Sequence, residues 1–299
     1  MAWDDALASH VEAAARQWLA EDLGAECDWT SVGLIAAGQC GQAEVRARSA
    51  GVVAGIDAAR IVAAVVDESL EWTAAGRDGD AVEAGASVAR LSGPVRSMLA
   101  AERTILNVMG RLSGIASAVR RLVDAVAGTD CRVYDTRKTV PGWRLLDKYA
   151  VRCGGGWNHR MGLFDAILIK DNHLAAAAEE GLTPADAVRR AREFVLQTFP
   201  AERAAATVVE IEVDSLTQLE QVLPAGPDIV LLDNMGLDDL RVAVAKRDGA
   251  KSPVVLEASG GIHPDTVGAI AKTGVDRVST GWPCHHAPWL DLGLDWTAS

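Results

Sequence analysis

The chain has 299 residues, of which 49% are hydrophobic and 23% charged, a composition typical of a globular protein and not of a disordered chain. Its formal net charge of −12 argues against nucleic acid or an anionic membrane surface as a partner. No run of about 18 apolar residues occurs, so the sequence predicts no transmembrane helix.

The first hundred residues predict a small α+β domain. Helical periodicity extends over Asp4–Asp22, and a second helix is expected over Asp57–Glu68. Short runs with strand character surround this second helix and are separated by glycine-containing turns. These runs are Ala43–Arg48, Gly51–Gly55, Leu70–Ala74 and Ser87–Leu91.

A long helical pattern over Ser97–Ala127 is followed by a regular alternation of apolar strands and helices. The expected strands are Cys131–Tyr134, Ala166–Ile169, Val208–Val213, Ile229–Leu232, Val254–Leu256 and Arg277–Ser279. The expected helices between them include Thr183–Phe199, Leu216–Leu223, Leu237–Lys246 and Pro264–Thr273. This alternation predicts a parallel sheet with right-handed crossovers.

Both a doubly wound sheet and a closed barrel fit this alternation, but polar residues at the carboxyl ends of many strands favour the barrel. An open sheet collects its ligand residues at one switch point, whereas a barrel uses all of its strand ends. The polar strand ends are Asp135, Lys170, Glu212, Asp233, Glu257 and Ser279.

The segment from Arg132 to Lys170 is strongly basic within an acidic chain. It holds eight Arg or Lys residues against three acidic residues, together with three consecutive glycines at 154–156. Such a patch predicts a site for a compact polyanion carrying phosphates, carboxylates or both. The alternative is a solvated basic face that pairs with nearby acids.

Three acidic residues, Glu212, Asp233 and Glu257, are expected at the ends of successive strands. Carboxylates beside a cationic patch suit a hard cation and ribose hydroxyls, so they predict a site for Mg²⁺ with a pyrophosphate-bearing sugar. The alternative is that each acid caps the following helix, which is most credible for Glu257.

Glycines follow the last two strands, at Ser259–Gly261 and at Gly281. Glycines in this position of a barrel predict a cradle for a phosphate group. The alternative is that they only permit tight turns.

The cysteines and the first residues of the chain indicate its compartment. Five scattered cysteines without a CxxC pair argue against a disulfide scaffold or a structural zinc site. Met1–Glu12 lacks the basic and apolar segments of a signal peptide. We therefore expect a cytoplasmic protein.

Three long motifs resemble the signature of the quinolinate phosphoribosyltransferase family, also called nicotinate-nucleotide pyrophosphorylase (carboxylating). They read TRKT-x-PG at Thr136–Gly142, KYAV-x-CGGG-x-NHR at Lys148–Arg160 and IKDNH at Ile169–His173. The resemblance extends over nearly the whole chain, from Glu21-Asp-Leu-Gly24 to Thr273-Gly-Val-Asp276.

The resemblance implies an α/β protein with an N-terminal α+β sandwich over residues 1–104 and an incomplete (β/α) TIM-like barrel over residues 105–299, with the last helix returning to the first domain. It also implies a homodimer that uses Mg²⁺ and no organic cofactor. The implied reaction converts quinolinate and phosphoribosyl pyrophosphate (PRPP) into nicotinate mononucleotide, CO₂ and pyrophosphate.

The resemblance also implies roles for individual residues, position by position. The implied quinolinate ligands are Arg137, His159, Arg160 and Lys170, with Arg103 entering the neighbouring subunit's site. The implied PRPP ligands are Lys138, Lys170, Glu212, Asp233, Ser259, Gly260, Gly261, Gly281 and His285, with Glu212 and Asp233 near the metal. Of these, the catalytic set is Lys138, Lys170, Glu212 and Asp233.

The sequence departs from the family pattern most clearly in the loop Trp282–His286, and also at Trp143, Trp157 and Phe164. These departures leave open a paralogous phosphoribosyltransferase acting on another heteroaromatic acid. A non-catalytic ligand-binding barrel is a further alternative, and it is disfavoured because the matched charged positions are all present.

Overall fold

The computed structural model describes residues 2–297, and its contacts divide the chain into two units that alternate along the sequence. The first unit combines Met1–Arg120, Val140–Gly155 and Pro283–Ser299, and the second combines Arg121–Thr139 with Gly156–Trp282. The domain boundary expected between residues 104 and 105 lies within the long helix Val95–Ala125 and stays a prediction.

The elements follow one another in mixed order up to the long helix and then alternate. The first part contains α1 (Asp5–Leu23), α2 (Trp29–Leu34), β1 (Cys40–Ala47), β2 (Gly51–Val52), α3 (Ile56–Val66), β3 (Glu71–Ala74), β4 (Ala81–Val82), β5 (Ser87–Pro94) and α4 (Val95–Ala125). The second part contains β6 (Arg132–Tyr134), α5 (Arg144–Cys153), β7 (Ile167–Ile169), α6 (Asp171–Glu179), α7 (Pro184–Thr198), α8 (Ala201–Ala206), β8 (Val209–Val213), α9 (Leu216–Val222), β9 (Ile229–Asp233), α10 (Leu237–Gly249), β10 (Val255–Ser259), α11 (Pro264–Ala271), β11 (Arg277–Ser279), α12 (Trp282–His286) and β12 (Leu292–Trp296).

The first unit is built on an antiparallel sheet with the strand order β12-β1-β5-β3. Alternate residues of β1, namely Ala43, Val45 and Ala47, are fully buried, as expected for a strand with one face against a core. The same core includes Ala15 of α1 and Val62 of α3. A separate pair of short strands, β2 and β4, completes the strands of this unit within residues 2–297.

The last element of the described chain is the strand β12, which belongs to the first unit, and the expected return of the last helix to the first domain stays a prediction. Residues Leu292–Trp296 pair antiparallel with β1, and Leu294 lies opposite Val45. The segment alternates large apolar residues with Gly293 and Asp295, which is the period of a strand. Arg48 pairs with Asp295 and fastens this strand at the edge of the sheet.

The second unit is a six-stranded parallel sheet with the order β6-β11-β10-β9-β8-β7. Its last strand, β11, pairs with its first, β6, as in a closed barrel, while β6 and β7 form the two edges. The expected incomplete TIM-like barrel is therefore confirmed. Trp157 makes a single parallel bridge to Tyr134 at the edge of β6.

The barrel strands are short and rich in β-branched residues because both faces of each strand are covered. Val209, Ile211 and Val213 of β8 are buried, and so are Val230 and Leu232 of β9. Helices α7, α9, α10 and α11 contribute to the same core. Within residues 2–297, no helix is both long and apolar enough to cross a membrane.

Candidate active site

A cavity of about 640 Å³ opens at the carboxyl ends of the barrel strands. A parallel barrel collects functional side chains at this end because every strand terminates there. The lining residues are Thr136, Arg137, Lys138, His159, Arg160, Leu168, Lys170, Glu212, Leu231, Asp233, Asn234, Ser259, Gly260, Gly261 and Ser279. Most of the residues that the sequence assigned to one site therefore line one cavity.

Asp135, which directly follows β6, anchors the loop that carries two of the cavity's basic residues. Its buried carboxylate accepts a hydrogen bond from the Asn158 side chain at 2.7 Å and another from the His159 backbone N–H at 2.8 Å. A buried carboxylate with such partners holds its donors in fixed positions. His159 and Arg160 are thereby placed beside the end of β6.

Arg137 and Arg160 bring two cationic groups to the cavity with unused donors. Among residues 2–297, the Nε atoms of both arginines are buried and have no hydrogen-bond partner. Arg160 donates through Nη1 to the backbone oxygen of Ala166 at 3.0 Å. Burial lowers the pKa of Arg160, and the nearby positive charge of Arg137 lowers it further. An anionic ligand in the cavity would relieve the repulsion between the two guanidinium groups.

Lys170, at the start of α6, pairs with the carboxylate of Glu212 on β8. The backbone N–H of Lys170 also donates to Nδ1 of His173 at 3.0 Å, which fixes the beginning of the helix. The pair sets a positive and a negative group side by side at the cavity wall. It can therefore contact an anion and a hydroxyl or cation at the same time.

The ends of β9 and β10 form the opposite wall of the cavity. Asp233 and Ser259 are neighbours across the two strands, and Gly260 and Gly261 both have positive φ values, of 93° and 60°. Residues other than glycine rarely adopt these angles, so the loop conformation depends on the glycines. Backbone N–H groups in such a loop suit a phosphate ligand.

A buried charged cluster occupies the barrel interior, and it corrects the position expected for Glu257. Glu257 lies in the middle of β10 and is fully buried, so it neither ends a strand nor caps a helix. Its cross-strand neighbour Arg277 pairs with it and lies 3.6 Å from Glu210. His159 Nε2 lies 3.0 Å from Glu210 and 3.7 Å from Glu257.

The electrostatics of this cluster explain how the barrel tolerates two buried acids. Burial raises the pKa of Glu257, and the like charge of Glu210 adds to the effect, whereas Arg277 and His159 oppose it. The ligand atoms of His159, Glu210 and Glu257 are close enough to hold a metal ion. Arg277 supplies a buried positive charge beside both carboxylates, which offsets part of their mutual repulsion.

Three of the predicted site residues lie outside this cavity lining in the described part of the chain: Arg103, Gly281 and His285. Arg103 lies on α4 and lines a different cavity, of about 620 Å³, in the first unit. His285 lies on the short helix α12, where its Nδ1 is 2.7 Å from that of His286. The roles predicted for these three residues stay predictions.

The unusual tryptophans have structural partners. Trp143 stacks on Trp18 at 4.9 Å between ring centroids, with the Arg111 guanidinium over its ring. Trp157 stacks against Tyr134 at 6.3 Å and carries Arg132 over its ring. In residues 2–297, neither Trp143, Trp157 nor the loop Trp282–His286 lines the barrel cavity.

Sequence reasoning missed several residues that line or support the cavity. Thr136 directly follows Asp135 and Asn234 directly follows Asp233, but this adjacency did not reveal that both residues line the cavity. Glu210 and Arg277 gave no signal, because a charged residue inside a β-strand reads as solvent-facing until its partner across the barrel is known.

Comparisons with known families cover almost the entire chain. Residues 28–113 match the model of the quinolinate phosphoribosyl transferase N-terminal domain, and residues 115–295 match that of its C-terminal domain. The chain is 41% identical over 284 residues to the nicotinate-nucleotide pyrophosphorylase [carboxylating] of Mycobacterium leprae, which covers 94% of this chain and 95% of the relative. It is 39% identical over 279 residues to the probable enzyme of that name from Synechocystis sp., covering 93% and 90%.

Solved structures of similar proteins share the fold over their full length. The nicotinate-nucleotide pyrophosphorylase of Francisella tularensis superposes with a TM-score of 0.86 at 39% identity, covering 97% of both chains. NadC from Streptococcus pyogenes superposes with a TM-score of 0.86 at 34% identity, covering 100% of both chains. The two-part architecture is thus common to this chain and to those structures.

Proposed function

Since the chain belongs to the quinolinate phosphoribosyltransferase family, we propose that its barrel cavity converts quinolinate and PRPP into nicotinate mononucleotide, CO₂ and pyrophosphate. The protein is a phosphoribosyltransferase of NAD biosynthesis, as are the relatives that it matches over most of its length. The observation that carries the proposal is the convergence of Arg137 and Arg160 with Lys138 and Lys170 in the lining of one cavity.

A dicarboxylate is the ligand that these arginines fit. Arg137 and Arg160 each offer a planar set of N–H donors, and Lys138 and Lys170 add two further positive charges to the lining. Two carboxylates on adjacent ring carbons supply the negative charge and the acceptors that this set lacks. Paired Arg–carboxylate contacts also fix the direction in which the ring nitrogen points.

The opposite wall suits PRPP. The Ser259–Gly261 loop offers backbone N–H groups to the 5′-phosphate, and Glu212 and Asp233 offer oxygens to the ribose hydroxyls. Carboxylate oxygens are also ligands for Mg²⁺, which binds proteins through one or two carboxylates together with substrate phosphates. Glu212 and Asp233 would hold this ion, directly or through water, and the ion would stabilise the departing pyrophosphate.

The reaction needs few proton transfers from the protein. The bond from ribose C1 to pyrophosphate breaks, and the pyridine nitrogen forms a new bond to that carbon. Positive charge that develops on the ribose is stabilised by nearby carboxylates such as Glu212 and Asp233. The ring nitrogen is then cationic and accepts the electron pair as the adjacent carboxylate leaves as CO₂, and a proton replaces it on the ring carbon.

The proposal includes a homodimer in which Arg103 completes the site of the neighbouring subunit. Arg103 lines a cavity of the first unit together with Glu21, Asp22 and Arg111, and Arg137 lines the cavity of the second unit. A second copy of the chain would bring the two sets of residues together, as the family resemblance implies. Gly281 and His285 keep their proposed place near PRPP, and a cytoplasmic location is part of the same proposal.

The test is to incubate the purified protein with quinolinate, PRPP and Mg²⁺ and to detect nicotinate mononucleotide by mass. Product that is lost in Arg137→Ala supports the reaction and its site, while turnover of PRPP with nicotinate alone would move the substrate to a monocarboxylate. Trp157, Phe164 and the loop Trp282–His286 lie outside the linings of both cavities within residues 2–297, whereas Trp143 lines the cavity of the first unit together with Arg103.

A further inference from the structure

We infer that Asn234 is a positioning residue that couples the Asp233 carboxylate to the Ser259–Gly261 loop and thereby sets the affinity for PRPP. The inference rests on the proposed function, because it assigns PRPP to this wall of the cavity. Asn234 lines the cavity beside both Asp233 and the Ser259–Gly261 loop, and its inferred role does not require it to contact PRPP itself. Its contribution is to hold both features in one arrangement.

The backbone of Asn234 is held in an uncommon conformation. Its φ is 54°, and within residues 2–297 the only other non-glycine residue with a positive φ is Lys251. Asparagine tolerates this left-handed region better than most residues. Residues in this region cost free energy and persist where the surrounding structure holds them, often at functional sites.

Asn234 is bonded to both sides of the wall. Its backbone N–H donates to the backbone oxygen of Ser259 at 2.9 Å, which joins the end of β9 to the end of β10. Its side-chain Nδ2 donates to Oδ2 of Asp233 at 2.7 Å. One residue therefore orients the carboxylate and fastens the strand that leads into the glycine loop.

Gly260 and Asn234 are also in direct contact. A Cβ atom on Gly260 would lie 2.1 Å from Oδ1 of Asn234 and 3.0 Å from its backbone nitrogen. The absence of a side chain at 260 is therefore required by the position of the Asn234 amide as well as by the φ of 93° at Gly260. The amide in turn limits the movement of the loop.

Two substitutions separate these contributions. Asn234→Gly keeps the left-handed backbone and the bond to Ser259 but removes the amide from Asp233 and Gly260. Asn234→Asp keeps the shape of the side chain but replaces the Nδ2 donor by an oxygen that repels the Asp233 carboxylate. The matched control is Lys251→Gly, which removes a side chain at the other left-handed position, in the turn after α10.

The experiment measures binding of Mg²⁺–PRPP by calorimetry in the presence of benzene-1,2-dicarboxylate, which resembles quinolinate but has no reacting nitrogen. Loss of a hydrogen bond to a charged group predicts a rise in the PRPP dissociation constant of about tenfold or more in both Asn234 variants. Lys251→Gly should leave this constant unchanged, and affinity for the dicarboxylate should stay within about twofold in all three variants.

Each outcome separates the inference from the proposed function. A PRPP affinity within about twofold of wild type in either Asn234 variant overturns the inference, as does an equal loss of dicarboxylate affinity. If the wild-type protein binds both PRPP and the dicarboxylate but does not turn over quinolinate, the proposed function is overturned and the inference is not. A wild-type protein that does not bind PRPP overturns both. Melting temperatures of the variants, compared with Lys251→Gly, show whether a loss reflects unfolding.

Discussion

The carboxylate of Asp135 accepts a hydrogen bond from the side chain of Asn158 at 2.7 Å, across 23 positions of sequence. The same carboxylate accepts the backbone N–H of His159, so a single buried acid fixes the entry into the segment with His159 and Arg160. Arg160, one of the arginines that we assign to quinolinate, is therefore positioned by Asp135, which lies outside the cavity lining of residues 2–297.

Replacing Asp135 should impair catalysis without removing a ligand. Asp135→Ala removes the carboxylate that accepts the bonds from Asn158 and His159, and a shift of about 1 Å in Arg160 can cost roughly 100-fold in rate. We expect kcat/KM for quinolinate to fall by about this factor, measured by steady-state kinetics. The exposed Asp265→Ala in the same unit serves as the control, and Asp135→Ala with nearly wild-type kcat/KM would contradict the account.

Arginine at position 160 should not be replaceable by lysine. The guanidinium donates through Nη1 to the backbone oxygen of Ala166 and still lines the cavity with further N–H groups, and an ammonium on a flexible stem cannot do both. We expect Arg160→Lys to raise the KM for quinolinate roughly 10- to 100-fold. Arg132→Lys, which changes the arginine over the Trp157 ring, should have little effect on KM, and equal losses in the two variants would refute the assignment.

The shared site can be tested by mixing two inactive variants. Arg103→Ala damages the site of the neighbouring subunit in the proposed dimer, and Arg137→Ala damages its own. A mixed dimer then contains one intact site, so random reassociation of equal amounts should restore about a quarter of wild-type activity. If Arg103 acts within its own chain, the mixture will stay as inactive as the separate variants.

Asp78 should make stability depend on pH in a direction opposite to that of most paired acids. Its carboxylate accepts bonds from Ile56 N–H at 3.0 Å and from the Tyr149 hydroxyl at 2.7 Å, but burial raises its pKa above the usual 3.8. The native state thus keeps this proton to higher pH than the unfolded state. Ionisation of Asp78 then lowers the free energy of unfolding as pH rises through the window between 3.8 and the raised value.

The variant Asp78→Asn keeps an acceptor oxygen without the charge. Urea denaturation gives the free energy of unfolding of the variant and of wild type at each pH. The difference, variant minus wild type, should become more positive as the pH rises from below 3.8 to neutral. Asp265→Asn, at an exposed position, should show a constant difference. If the free-energy difference between Asp78→Asn and wild type instead falls as the pH rises, burial is not the dominant influence on the pKa of Asp78.

The barrel strands could be predicted from the sequence because strands buried on both faces form continuous apolar runs. The run Ile229–Leu232 is one residue shorter than β9, and Arg277–Ser279 matches β11. Polar residues after such runs, such as Lys170, also identified the cavity correctly. A polar residue at a strand end directly follows the apolar run in the sequence, so it can be recognised without knowing the fold.

Features that depend on distant partners could not be predicted. The expected strand Val254–Leu256 stopped before Glu257, because its apolar run ends at Leu256. The strand β10 nevertheless continues to Ser259, because Arg277 on β11 pairs with the buried Glu257 carboxylate. The strand β12 exists because β1 offers it an edge, and the helix α5 lies within a segment that composition marked only as basic. The left-handed backbone of Asn234 likewise depends on Ser259 and Gly260.

The central claim is that one cavity both transfers the phosphoribosyl group and removes one carboxylate of quinolinate. The most direct measurement supplies quinolinate labelled with ¹³C in the carboxylate beside the ring nitrogen, together with PRPP and Mg²⁺, and quantifies all three products. The account predicts labelled CO₂, nicotinate mononucleotide and pyrophosphate in equal amounts, and none of them with Arg137→Ala. Release of pyrophosphate with a nucleotide that retains the label, or labelled CO₂ without PRPP, would contradict it.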